Sequence, residues 1–352
     1  MTSDAAAPDS SPRPPARRRW THLVGGLAGL CLFAWTLRDF EFESFAGSMR
    51  AIGPALALVF LPQLASSLLH AGGLAALLRG LGARFSWARL LAIVLTSQAA
   101  NMALPAGVVV SESVSAAGLV RGLGRTWSEA LATLGVKKAW HLAAHGLWMV
   151  VLSVVAWDEL AALELAGAPR WLPVAAAWAV TASLVGSATF TLTLLSSERA
   201  ARVFTRAALR LPIRRLRTWA ANRTASGHAE RTLVLPRRAH VACAAWLVAQ
   251  WGAVVFETFL VLRLLGVAVS FEQALILEMG VVMLRALAFA VPGQVGVQDA
   301  GYVAILSSFG VAGAAELGAT FVVLRRGKDV AFVLLGLATS GPWRGATVAE
   351  PG

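Results

Sequence analysis

Apolar residues in this chain gather into long unbroken runs. They fall at about 21–37, 51–78, 88–104, 139–157, 171–195, 239–262 and 271–291, followed by a small-residue segment around 301–323 and a last run of about 329–341. A helix needs about 20 apolar residues to cross about 30 Å of hydrocarbon, and most of these runs approach or exceed that length. In lipid every backbone amide must be satisfied by the segment or by a closed barrel. Barrel strands alternate polar and apolar residues over about ten positions, and these runs do not alternate. The pattern predicts an all-α fold, a polytopic transmembrane helical bundle of about eight spans.

Prolines punctuate the pattern. The run at 51–78 contains Pro54 and Pro62, the run at 88–104 ends at Pro105, and a Gly-rich stretch starts at Pro292. Residues 106–120 are too short and polar for an ordinary span. Two re-entrant or broken-helix segments are therefore expected, one near Pro105 and one near Pro292. The domain organisation follows: a disordered basic tail over 1–19, one transmembrane domain over 20–341, and a short tail over 342–352. The domain divides into halves of about 20–196 and 239–341, joined by the loop 197–238.

Charge orients this arrangement. The chain of 352 residues is 57% hydrophobic and only 14% charged, yet its formal net charge is +12. Eleven arginines and a single acid, Glu230, lie between Arg199 and Arg238. Arg17, Arg18 and Arg19 precede the first run, and the loop after it is acidic at Asp39, Glu41 and Glu43. Basic loops stay on the cytoplasmic side, so the N-terminus and loop 197–238 are expected there. Within that loop Arg199, Arg202, Arg206 and Arg210 recur at helical spacing opposite Val203, Phe204, Ala207 and Leu211, the pattern of an amphipathic helix lying in the interface. The basicity suits anionic headgroups, and with Tyr302 as the one tyrosine it lacks the aromatic stacking of a nucleic-acid binder. The first run lacks a signal-peptidase site and is expected to remain as an anchor. Cys31 and Cys243 fall within spans and form no metal or redox spacing.

One pattern occurs twice. Leu104-Pro105-Ala106-Gly107-Val108-Val109-Val110-Ser111-Glu112 parallels Val291-Pro292-Gly293-Gln294-Val295-Gly296-Val297-Gln298-Asp299. Of the fourteen prolines, only Pro105 and Pro292 have an acid seven positions later. Downstream of each acid comes a glycine, Gly124 or Gly310, and then a basic pair, Lys137-Lys138 or Arg325-Arg326. Transporters built from repeated halves place their sites at such broken helices. An acid there must pair with a cation, take a proton or meet a polar substrate.

The candidate translocation or binding residues are Pro105, Glu112, Lys137, Lys138, His141, Arg285, Pro292, Gly293, Gly296, Asp299, Arg325 and Arg326. Glu112 and Asp299 are the paired acids, and the cations are candidates for a phosphate headgroup, which needs charge-assisted hydrogen bonds when desolvated. Lys137, His141 and His145 share one helix face; Glu278 and Arg285 share another; Lys328 and Asp329 are a local pair at the start of the last run. Interfacial placement or structural pairing between helices explains any one of these equally well. His141 and His145 lack the third ligand of a zinc site, and no P-loop is present, so neither a metal nor another cofactor is expected.

The two Pro-acid segments, with Asn101-Met102-Ala103 before the first, Gly124-Arg125-Thr126-Trp127-Ser128-Glu129-Ala130 after it, and Phe309-Gly310-Val311 and Leu324-Arg325-Arg326 after the second, resemble the lysylphosphatidylglycerol synthase transmembrane region. The resemblance covers about 20–341. It implies a flippase-like protein of the bacterial inner membrane that moves lipids between leaflets. Ser111 stands where that family usually has glycine, Ser113-Val114-Ser115 replace a following arginine, and Asp299 replaces a glutamate. The sequence stops at Gly352, so the soluble synthase chemistry of the larger family members is not expected of it. The expected function is transport of an anionic phospholipid or related amphiphile, without enzymatic activity. The alternatives are a membrane-embedded transferase acting on a lipid or isoprenoid carrier, and an accessory subunit whose charges only set packing. Membrane lipids are the expected partners, nucleic acid is not, and oligomeric state stays open, a homodimer included.

Overall fold

The computed structural model describes residues 31, 33–35, 37–38, 40–104, 107–162, 169, 171–196, 206, 235–287, 296–311 and 313–341. Most of the expected first span, both tails and nearly all of the basic loop, with all of its amphipathic helix but Arg206, lie outside these residues, as do Pro105, Pro292 and Gly293. The described chain is helical, with no strand among the described residues. Helix α1 (Phe42–Ile52) runs through a 3-10 segment (Gly53–Val59) into α2 (Phe60–Gly80). Then come α3 (Trp87–Ala103), α4 (Gly107–Leu123), α5 (Trp127–Val155), the short α6 (Trp157–Ala162) and α7 (Leu172–Ser196). The second half holds α8 (Arg237–Leu264), α9 (Phe271–Leu287), α10 (Val297–Ser308) and α11 (Ala314–Ala338).

Local sequence sets these boundaries. Pro54 sits at the start of the 3-10 segment, where a missing amide costs little, and Pro62 falls in the first turn of α2. Thr126 and Glu129 form a reciprocal capping box that starts α5, each side chain bonded to the other's backbone amide at 3.2 Å. Ser270 and Gln273 do the same at the start of α9, at 3.1 and 3.0 Å. Among the described residues four segments are long and apolar enough to cross a bilayer: Phe42–Gly80, Trp127–Val155, Leu172–Leu195 and Arg237–Leu264. This is an integral membrane protein. Trp87, Trp127, Trp157 and Trp171 are exposed at or beside helix starts, as in an interfacial aromatic belt.

Two expectations need correction. The chain does not divide into spans at 301–323 and 329–341; it turns at 309–313, through Gly310 and Gly313 with φ of 70° and 66°, and α11 then continues unbroken. Its central charges are neutralised by neighbouring helices, so no break is needed. Likewise the helix expected over 139–157 begins at Trp127, because the capping box at Thr126 starts it there. Lys137 and Lys138 therefore lie within a helix rather than before one.

The repeat has a structural counterpart. In the first half α2, α3, α4, a turn at Gly124 (φ 65°) and the long α5 follow one another. In the second, α8, α9, α10, the turn at Gly310 and the long α11 repeat that order. The short helices α4 and α10 each pack between the helix before them and the long helix after them. The matching helices α2 and α8 pack along each other at the centre, α3 packs on α11, and α5 touches α8 and α9. The stretch 106–120, too polar for a span, is most of α4, which buries Ser111, Ser115, Ala116 and Leu119. Ser97 donates to the Ser111 carbonyl at 2.9 Å, and the Ser115 and Ser97 hydroxyls lie 2.8 Å apart, so its polar face is satisfied against α3.

With lipid on the outside, helix association depends on close packing of small residues. Gly72 and Gly73 of α2 lie against Trp246 and Leu247 of α8. Gly336 of α11 is tighter still: a Cβ there would lie 2.5 Å from the Leu95 carbonyl oxygen and 2.6 Å from the Ala99 Cβ of α3. Thr96 donates across the same contact to the Gly336 carbonyl at 3.0 Å. Gly336→Ala is expected to lower unfolding stability in detergent by about 1–3 kcal/mol, the usual cost of overpacking. Gly186→Ala, where nothing lies within 4 Å, is the control and is expected to be neutral or slightly stabilising. Equal thermal unfolding of the two variants would refute the close α3–α11 contact.

Candidate functional site

Both acids of the repeated motif meet the basic pair of their own half. On α10, Asp299 is 2% exposed and accepts from the Gly296 amide at 2.9 Å, with Gly296 at φ 84° turning the chain into the helix. Arg326 of α11 grips the same carboxylate with two bonds, Nε to Oδ1 at 3.1 Å and Nη2 to Oδ2 at 2.8 Å. On α4, Glu112 lies 3.8 Å from Lys137 and 3.9 Å from Lys138 of α5. These distances make ion pairs without hydrogen bonds.

Arg325 turns away from Asp299. It points between α8, α9 and α10 and holds Glu278 of α9 through Nη1 at 3.0 Å and Nη2 at 3.1 Å. Glu278 is fully buried and also accepts from Thr258 at 2.7 Å and Tyr302 at 2.9 Å. The guanidinium stacks over the Tyr302 ring, 4.8 Å from its centroid. Glu278, expected to share a helix face with Arg285, is thus bound by Arg325 from another helix; the Arg285 side chain lies outside the described residues. One turn further along α11, Lys328 bonds Glu257 of α8, reaches Gln63 Oε1 of α2 at 3.2 Å, and lies 3.6 Å from Asp329. Arg326 also lies 3.8 Å from Asp329.

Behind Glu112 the first half continues inward as a cluster of polar and aromatic side chains. Lys137, 3% exposed, lies 3.2 Å from His70 Nε2. The rings of His70 and His141 are 5.9 Å apart, and Trp251 of α8 lies 5.3 Å from His141 and stacks on His145 at 4.2 Å. The two clusters are joined by α2, where Gln63, Ser66, Ser67 and His70 take the spacing of one helix face. Gln63 meets Lys328, Ser66 meets Gln250 at 3.4 Å, Ser67 bonds Gln98 at 2.8 Å, and His70 meets Lys137.

A repeated helical unit, with an acid on its short helix paired to one or both cations on the following long helix, extends over most of the described chain. The family model described as the lysylphosphatidylglycerol synthase TM region matches residues 22–336. The chain belongs to this family. Among curated proteins, none matches it.

The structure therefore gathers Glu112, Lys137, Lys138 and His141 into one cluster of this family domain, and Gly296, Asp299, Arg325 and Arg326 into another. Sequence reasoning passed over the α2 stripe, Gln250, Trp251, Thr258 and Glu257. Polar residues three, four and seven apart inside an apolar run, and a lone glutamate in the middle of another, were the available signals.

The Glu278–Arg325 pair should be structural. Arg325→Met leaves the buried Glu278 carboxylate without its guanidinium partner and is expected to cost about 3–5 kcal/mol of stability in detergent, whereas Glu278→Leu with Arg325→Met should recover most of it. Arg325→Lys should fall short of wild type because an ammonium cannot make the two-pronged contact. An additive double-mutant cycle in chemical unfolding would contradict the coupling.

Proposed function

We propose that this protein moves an anionic phospholipid or a related amphiphile between leaflets, its headgroup passing along a polar seam between the repeated halves. The observation that carries this reading is the α2 stripe, which runs through the apolar core from the Glu112–Lys137 cluster to Lys328 and Glu257. Neutral hydroxyl and amide groups can exchange hydrogen bonds with a passing headgroup at little electrostatic cost, and the cations at both ends suit a phosphate.

The outer face suits the rest of the lipid. Between α1, α2 and α11 an apolar groove of about 390 Å³ is lined by Phe45, Met49, Leu56, Phe60 and Leu324 and has Lys328 among its lining residues. A second groove of about 240 Å³, lined by Leu61, Leu64, Phe332 and Leu335, shares Phe60 with it. Acyl chains can remain in such lipid-facing grooves while only the headgroup leaves the interface. Family membership supports a role in lipid handling.

The test is leaflet exchange in proteoliposomes. Purified protein is reconstituted with a labelled anionic phospholipid, and outer-leaflet label is quenched chemically. Wild type is expected to speed exchange over empty liposomes, and Glu112→Gln and Asp299→Asn to abolish most of the gain while remaining monodisperse. No exchange with any headgroup, even under an imposed proton gradient, would overturn the transport reading.

A further inference from the structure

The two halves share a ground plan and differ in how completely their charges are satisfied. In the second, Arg325, Arg326 and Lys328 face Glu278, Asp299, Glu257 and Asp329, with hydrogen-bonded contacts to three of those acids. No cation in that group is spare. In the first, Lys137 and Lys138 share the single carboxylate of Glu112, at distances too long for hydrogen bonds. Glu112 Oε2 is buried without a hydrogen-bond partner among the described residues. Charge-assisted bonds between ammonium and carboxylate close to about 2.7–2.9 Å when both groups are free to meet. Glu112 is therefore a loosely held counter-ion, and the cluster carries a surplus positive charge.

Three further side-chain atoms behind the lysines are buried without a hydrogen-bond partner among the described residues: Nε1 of Trp251, a residue 8% exposed, Nδ1 of His141 and Oε1 of Gln250. An indole N–H can only donate, so its buried position calls for an acceptor. The outer side of the cluster is reachable: the Lys138 and Glu112 side chains are 39% and 32% exposed. Cations at the mouth and an unused donor within fit a group with several acceptor oxygens and negative charge.

We infer that this first-half cluster is a docking site for a phosphate group, and that Glu112 is a resident carboxylate which the incoming anion displaces from Lys137 and Lys138. The attribution of that phosphate to a lipid headgroup rests on the transport reading; the site itself does not. Trp251 Nε1 and His141 supply hydrogen bonds to the phosphate oxygens, and His70 supports Lys137 from behind. The matching acid of the second half, Asp299, is held by three hydrogen bonds and stays in place. One half thus binds and the other braces.

The experiment is calorimetric titration of the full chain in phosphatidylcholine nanodiscs, with empty nanodiscs subtracted. The probes are dihexanoyl phosphatidic acid, inorganic phosphate, and dihexanoylglycerol as the uncharged control. The expected result is saturable binding of phosphatidic acid, weakened about tenfold or more by Lys138→Gln and by Trp251→Phe, and unchanged by Arg263→Gln, which lies away from the cluster. Glu112→Gln removes the competing carboxylate and is expected to tighten binding by about tenfold, a gain that misfolding cannot produce. Inorganic phosphate binding as tightly as phosphatidic acid would support the site and overturn its attribution to a lipid. Absence of saturable binding by either anion would overturn the proposal, as would phosphatidic acid binding that ignores Lys138→Gln and Glu112→Gln. Anion binding that follows the variants without leaflet exchange would leave the site standing and sink transport; exchange without anion binding would do the reverse.

Discussion

A charge placed among apolar helices has to be neutralised where it stands, because no water is there to share the cost. Helix α11 carries Arg325, Arg326, Lys328 and Asp329 within little more than one turn. Successive residues on a helix point about 100° apart, so these side chains fan out and no single neighbour can satisfy them. Their partners come from different elements: Glu278 on α9, Asp299 on α10, Glu257 on α8 and Gln63 on α2. The requirement to neutralise one helical turn thereby fixes the relative placement of every long helix in the second half. It ties that half to the first through α2 as well. The bond from Ser44 to Glu316 adds α1 to the same assembly.

The equivalent turn of α5 is built differently. Lys137 and Lys138 occupy the place of Arg325 and Arg326, but lysine offers a single ammonium where arginine offers a planar fork. Glu112 answers both lysines at a distance, and the other groups around them are histidines and a tryptophan, whereas carboxylates and a tyrosine surround the arginines. Repetition of the backbone plan has not preserved the chemistry. A fully satisfied network specifies one arrangement, whereas a partly satisfied one can be rearranged by a ligand that supplies the missing partners. The difference between the halves is therefore a difference in what each can do, even where the helices correspond.

Much of this was legible in the sequence because it depends on local spacing. Apolar runs gave the helices, Thr126 and Glu129 mark a helix start by their spacing alone, and the acid seven residues after Pro105 and Pro292 marked the repeat. The pairing of Glu112 with Lys137 and of Asp299 with Arg326 follows from that repeat. What stayed hidden depends on contacts between distant segments. Hydropathy counts charge as a reason to end a span, so α11 was cut at its own centre; only the carboxylates of α8, α9 and α10 explain why it continues. Spacing places Glu278 and Arg285 on one helix face, but it cannot reveal Arg325, 47 positions away. Gln63, Ser66, Ser67 and His70 were lost in a run whose average is apolar.

That stripe also explains how the two clusters bear on one another. Gly72 and Gly73 bring α2 against Trp246 and Leu247 of α8 so closely that the pair has little freedom to slide. Polar contacts extend from the same helix in both directions, to Lys328 through Gln63 and to Lys137 through His70. Motion of α2 relative to the long helices must change both contacts together, since the residues share one rigid face. A change in the Glu112–Lys137 cluster that moved α2 would therefore also disturb the Gln63–Lys328 contact in the other half. The interactions available along the way, hydroxyl to amide and amide to ammonium, are short-ranged and replaceable, whereas Glu278–Arg325 is buried and two-pronged. A membrane protein that must open a polar route needs both kinds: one set that holds the bundle and another weak enough to exchange.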